Sequence, residues 1–326
     1  MKRILCMTLM TVLAAGAFGN SPAEARDVPE ILKSEDFRKL GLASFPWMKV
    51  TQSPRAAAMG DAFTAVSNDI NAIFSNPAGL VHLKRFGYQL SHTRWLVDTG
   101  FYSGAFAYRT GWGVLGASVL NYDVGDMPVR TIFNPEGTGE MIKGGGTSVG
   151  LAYAFHATDK LGLGVRVVYI SETLHVDDMT SLVLDAGTHF YTGFRSSRIA
   201  LAMRNFGPDT KVLAEDQKFL MPMNFDIGVA MELFGQMDEP NYLTVSFASS
   251  YQVDYEQRWQ IGSELWLSNA VALRAGYKFN HDLETYSFGA GFKGNFGDRT
   301  VLVDVAYTNV GELLDAPIRF SIGGAF

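Results

Sequence analysis

From Arg85 to Phe326 the chain alternates apolar and polar side chains with a period of two, in one short segment after another. Successive side chains of a strand leave opposite faces, so this pattern specifies strands rather than a helical body. Met223, Phe225, Ile227, Val229, Met231 and Leu233 take one face, while Asn224, Asp226, Gly228, Ala230 and Glu232 take the other. The segments 271–280 and 301–308 repeat the pattern. In the last one Ile318, Phe320, Ile322 and Phe326 oppose Arg319, Ser321 and Ala325. Cutting the sequence at its turn residues gives about fourteen strands, the first near 86–96 and the last near 317–326.

Period two leaves open which face is inside, because a water-soluble sandwich and a lipid-facing barrel share it. Composition helps: 47% of residues are hydrophobic, 13% aromatic and only 18% charged. Beyond the first segment, no run approaches the roughly 18 consecutive apolar residues of a helical membrane span. The 34 glycines and 23 phenylalanines suit short strands joined by turns, with aromatic residues on an outer surface. A net charge of −6 gives no reason to expect a nucleic-acid partner.

At the amino end Lys2 and Arg3 precede an apolar run from Ile4 to Phe18 and then small residues, the pattern of a cleaved secretory signal over 1–25. Cleavage fits after Ala17 or after Ala25. The one cysteine, Cys6, lies in that segment, so a mature chain has no disulfide. Residues 26–42 are polar and charged, a periplasmic lead-in. An exported chain without disulfides needs a large core or a closed sheet.

An even strand number is the rule for single-chain bacterial barrels, whose periplasmic turns are short and whose outer links are long. Thr110, Thr158-Asp159 and Ser268-Asn269 sit in tight links of one class, while 123–146 and 207–220 are the longest links of the other. His281-Asp282 breaks the rule, a tight link in the outer class. Phe326, ending an alternating strand that also carries Phe320, resembles the signal by which the barrel-assembly machinery inserts such proteins. The expectation is an all-β fold: a transmembrane antiparallel β-barrel of the Gram-negative outer membrane, spanning 85–326 with lipid around it.

Charges on a lipid face cost about 2–4 kcal/mol for Arg or Lys near the midplane, which places the polar set inside. Asp226, Glu232, Glu256, Arg258, Glu264, Arg274, Lys278, Asp304 and Arg319 are therefore expected to line the lumen, and their mixed signs point to salt-bridged packing. Enzymatic constellations are missing: the histidines are scattered without metal-motif spacing, and no nucleophile elbow occurs. The segment 175–178 reads as a solvated loop and Gly144-Gly145-Gly146 as a flexible loop end. No catalytic residue, metal or cofactor is expected.

The stretch RAAAMGDAFTAVSNDINAIFSNPAGL, Arg55 to Leu80, resembles the amino-terminal signature of PorV/PorQ-type proteins. The wider group, to which FadL-type fatty-acid transporters are similar, carries a related Asn-Pro-Ala-Gly element, here Asn76 to Gly79. The likeness continues at 201–208, 260–280 and 286–292. It implies a fourteen-stranded barrel with an amino-terminal hatch, 43–84, plugging the lumen, and makes Arg55, Gly60, Asp61, Asp69, Asn76, Pro77 and Gly79 the hatch motif. It also implies a plugged barrel that docks or helps translocate exported cargo proteins with other components of type IX secretion. FadL-like uptake of a hydrophobic small molecule, such as a long-chain fatty acid, is the alternative.

Overall fold

The alternating segments close on themselves. The computed structural model describes residues 43–326 apart from 175–176, 212–217, 238, 298 and 313; the expected signal and lead-in over 1–42 lie outside the described residues. Fourteen antiparallel strands form a closed barrel in which each pairs with its neighbours in sequence and the last returns to the first. In chain order these are β1 Phe86–Arg94, β2 Gly100–Arg109, β3 Val114–Pro128, β4 Met141–Thr158, β5 Leu161–Leu174, β6 Asp177–Tyr191 and β7 Arg198–Phe206. The two-residue strands β8 Thr210–Lys211 and β9 Lys218–Phe219 pair only with each other, outside the barrel. The wall resumes with β10 Asn224–Phe234, β11 Tyr242–Gln252, β12 Arg258–Leu267, β13 Val271–Phe279, β14 Tyr286–Phe296, β15 Arg299–Thr308 and β16 Ile318–Ala325.

Closure runs through the carboxyl end: Phe326 N–H donates to Phe86 O, Phe86 N–H donates to Phe326 O at 2.8 Å, and the two rings lie 4.8 Å apart. A closed sheet leaves no unpaired edge, which is what allows strands to stand in hydrocarbon. The outer surface fits that surrounding. Phe225, Ile227 and Val229 of β10, and Ile318, Phe320 and Ile322 of β16, are exposed, while Asp226, Arg319 and Ser321 between them are buried. No helix among the described residues is long and apolar enough to cross a membrane.

Several links differ from the sequence expectation. β3 and β4 continue their ladder to Pro128 and Met141, so half of 123–146 is strand, interrupted by a register shift between Asp123 and Asp126. Gly144-Gly145-Gly146 is therefore part of β4 rather than a loop end; a Cβ at Gly146 would lie 2.4 Å from the Trp47 ring. Asp177 and Asp178 likewise pair with Leu174 and Thr173, extending the ladder where a solvated loop was expected, and His175 lies outside the described residues. Hairpin ladders can outrun the barrel rim because cross-strand pairing needs no lumen behind it. The tight link after β12 has Ser268 and Asn269 at φ 52° and 51°, as a primed two-residue turn requires.

Candidate functional site

Residues 43–84 run through the barrel from end to end. Ala43 bridges to Leu220 in the link after β9, at the long-link end, while Arg109 at the short-turn end of β2 donates to Leu83 O at 2.6 Å and to Val81 O. Between these points the segment is folded by local signals. Ser53 caps α1, Pro54–Ala58, by accepting from Ala56 N–H at 3.2 Å. Asn76, extended before Pro77, caps a 3-10 turn over Pro77–His82, and a second short helix, α2, covers Ala72–Ser75.

Close approach to the wall depends on missing side chains. A Cβ at Gly276 of β13 would lie 2.1 Å from Gly60 N, and one at Gly164 of β5 would lie 2.3 Å from Ala78 N. Gly60 itself has φ 62°, a left-handed conformation that glycine adopts without strain. Gly79 is closed in from within the segment, since a Cβ there would lie 2.4 Å from Ser67 O.

One side of the lumen holds this segment by charge. Arg55 grips Glu264 of β12 through Nε (2.8 Å) and Nη2 (2.6 Å), and its Nη1 donates to Asp69 at 2.7 Å. Glu264 also accepts from Arg274 Nε at 2.6 Å, and Arg274 Nη1 donates to Asp304 at 2.6 Å. Burial by itself would favour a neutral Arg55, but the carboxylates of Glu264 and Asp69 outweigh it and hold the guanidinium charged, with its pKa raised. A second cluster joins Asp61 and Glu284 through the Lys278 ammonium. There burial pushes Asp61 up, Lys278 pulls it down, and the carboxyl titrates below its usual range. Arg319 donates from Nε to Thr51 O at 3.2 Å and from Nη1 to Thr308 Oγ1 at 2.8 Å.

The other side is apolar at its outer end. Phe101 of β2, Leu120 of β3, Val168 and Ile170 of β5, and Met179 and Val183 of β6 are buried on the inner surface and packed with Phe45, Trp47, Met48 and Met221. Trp47 stacks on Tyr122 at 6.0 Å. Phe45 sits in the left-handed region at φ 46° although only 1% exposed, a conformation that bulky residues adopt only when packing imposes it.

Toward the short-turn end this side turns polar. Asn76 Nδ2 donates to Thr64 O and Thr188 O, and its Oδ1 accepts from Ala78 N–H. His189 of β6 meets Ala65 O through Nε2 at 3.1 Å and His82 through Nδ1 at 3.2 Å. Burial, then the neighbouring His189 and His156, lower the pKa of His82 to about 3.

Eight of the nine charges assigned to the lumen from parity lie on strands with their side chains inward, among them Asp226, which accepts from Arg204 at 3.0 Å, and Glu232, which accepts from Arg198 at 2.9 Å. Arg258 reaches Asp282 at 3.2 Å. Glu256 is the exception: it is exposed in the link before β12, because parity counts only within a strand and β12 begins at Arg258. Sequence reasoning missed Arg166, Asp185, Arg198 and Arg204, which face inward on β5–β7; the Arg166–Asp185 pair is 3.4 Å long. The signal was present, since Arg166 alternates with exposed Val165 and Val167.

On the outer surface Tyr153, Leu163, Val165, Ala186, Leu201 and Phe225 border an apolar depression of about 350 Å³ across β4–β7 and β10. Among the described residues, no group of three or more side chains is arranged to hold a metal.

No family model matches the sequence, and no curated protein matches it. Solved structures do match the fold. The CymD monoaromatic hydrocarbon channel superposes with a TM-score of 0.58 at 13% identity, covering 85% of this chain and 98% of that one. The toluene transporter TodX of Pseudomonas putida gives 0.57 at 13% identity, with 83% and 96% covered. A FadL homologue of Pseudomonas aeruginosa gives 0.52 at 12%, with 85% and 98% covered. The chain has the fold of FadL-like outer-membrane barrels.

Proposed function

We propose that the protein resides in the outer membrane and passes small hydrophobic solutes across it. The observation that carries this reading is the apolar inner surface formed by Phe101, Leu120, Val168, Ile170, Met179 and Val183 under Phe45–Met48. Barrel interiors are ordinarily polar, so an oily inner wall calls for an apolar occupant. The depression on the lipid side and the hydrocarbon channels of like fold support the same reading. The hatch acts as the plug, held by Arg55 and Asp61. The test is uptake of labelled toluene and of labelled oleate by vesicles carrying the purified barrel. Uptake above protein-free vesicles, reduced severalfold by Leu120→Asn in a folded barrel, is the expected result; uptake equal to protein-free vesicles ends the proposal.

Docking of exported proteins, the role implied by the PorV/PorQ resemblance of Arg55–Leu80, is the second reading. It is favoured by the β3–β4 hairpin, whose tip residues Ile132 and Phe133 are 96% and 91% exposed at the long-link end. Pull-down from detergent-solubilised outer membrane, using the wild type and Phe133→Ser, tests it: cargo captured by the first and lost by the second is the expected outcome.

A further inference from the structure

Within the lumen lies a chamber of about 260 Å³, bordered by hatch residues and by inward side chains of β5–β7 and β10–β12. Six polar atoms of residues that line it are buried and have no partner within the protein: Gln52 Oε1, Asp61 Oδ1, Asn71 Oδ1, Ser75 Oγ, Arg166 Nε and Asn224 Oδ1. Gln52, Asn71, Arg166 and Asn224 are each at most 4% exposed. Polar groups so placed are destabilising unless something satisfies them, so their convergence on one space points to a polar occupant.

The orientation of the three amides is fixed. Gln52 Nε2 donates to Val50 O at 2.7 Å, Asn71 Nδ2 to Asp69 Oδ2 at 3.1 Å, and Asn224 Nδ2 to both carboxylate oxygens of Asp226 at 3.0 Å. Flipping any of them would set oxygen against oxygen, so in all three the unpaired atom is an acceptor. Arg166 adds a guanidinium, a donor group, to the lining, and the Ser75 hydroxyl can donate or accept.

Charge is balanced around this space. Arg166 is paired with Asp185, Arg204 with Asp226, and Asp61 with Lys278. A charged occupant would leave that balance, and an aliphatic one would satisfy none of the six atoms. A hydroxyl group donates and accepts, and a molecule carrying hydroxyls around its whole periphery can meet acceptors and a donor arriving from different elements. Phe63, Phe74 and Trp95 add aromatic faces for C–H groups. The volume falls just below the usual range for small-molecule sites, about 300–1,000 Å³, which limits the occupant to a small molecule.

We propose that this chamber is a binding site for an uncharged polyol of monosaccharide size. It shares with the apolar cluster around Trp47 only Met48, Val50, Trp95 and Leu120, at its border. The site therefore goes beyond the passage of hydrophobic solutes.

The test is calorimetric titration of the full-length barrel in detergent with D-glucose and with hexanoate, for the wild type and for Gln52→Leu. The Gln52 side chain otherwise bonds only within its own turn, so this variant leaves the ion pairs in place. Saturable glucose binding, weakened at least tenfold in Gln52→Leu while the heat-dependent gel shift of the folded barrel is retained, is the expected result. The absence of saturable glucose binding overturns the proposal, as does equal binding by the variant, or hexanoate binding that disappears with Gln52. Toluene uptake in the vesicle assay is read separately, so either proposal can fail while the other stands.

Discussion

The two sides of the lumen hold the same hatch by opposite means. On β12–β15 the contacts are discrete and mutually dependent: Arg55, Glu264, Arg274 and Asp304 form one chain of charge-assisted bonds. On β2, β3, β5 and β6 the outer part of the hatch lies against an apolar surface through Phe45, Trp47 and Met48. Removing one member of a buried ion-pair chain strands its partners, whereas trimming an apolar contact loses an amount proportional to what was removed. The first wall should fail abruptly and the second by degrees.

The largest effect expected is at Glu264. Glu264→Ala leaves Arg55 and Arg274 buried without their shared carboxylate and should cost about 3–5 kcal/mol of hatch or barrel stability, read from urea unfolding in detergent. An effect below that of a single trimmed methyl group would show that the charged wall does not anchor the hatch.

An intermediate effect is expected from pH. His82 is held neutral with a pKa near 3, below its ordinary value of 6.5, so the unfolded chain takes up a proton before the folded one does. This contribution is fully present above about pH 6.5 and is lost as pH falls from there toward 3; the loss by pH 5 is about 2 kcal/mol. The measurement is the urea midpoint at pH 7.5 and at pH 5, with His82→Gln. That variant should reduce the difference by the share of His82, and an unchanged difference would place the titrating group elsewhere.

The smallest effect should come from Ile170→Val on the apolar wall, about 0.5–1.5 kcal/mol. A loss as large as that of Glu264→Ala would erase the contrast between the two walls.

Much of this was legible in the residues themselves, for a definite reason. Strand periodicity is local, so the fourteen strands, their inward and outward faces and the terminal Phe326 follow from adjacent positions. Within that frame Asp226, Glu264, Arg274 and Arg319 could be assigned to the interior without a structure. Parity lost its meaning where strands gave way to links, as at Glu256, and where ladders ran past the barrel rim, as at Gly144–Gly146. The inward charges of β5–β7, Arg166 among them, carried the same signal.

By itself the sequence determined a sheet with one oily and one polar face, because a two-residue repeat needs nothing beyond the neighbouring residues. Only the tertiary structure decided which polar residue meets which. Arg55 and Glu264 are 209 positions apart, and nothing local selects that pairing over others. Tertiary structure alone also decided that part of the inner face is apolar and that six residues with an unpaired polar atom border one chamber. Both arise where the hatch, threaded through the lumen, brings its side chains against strands remote in the chain.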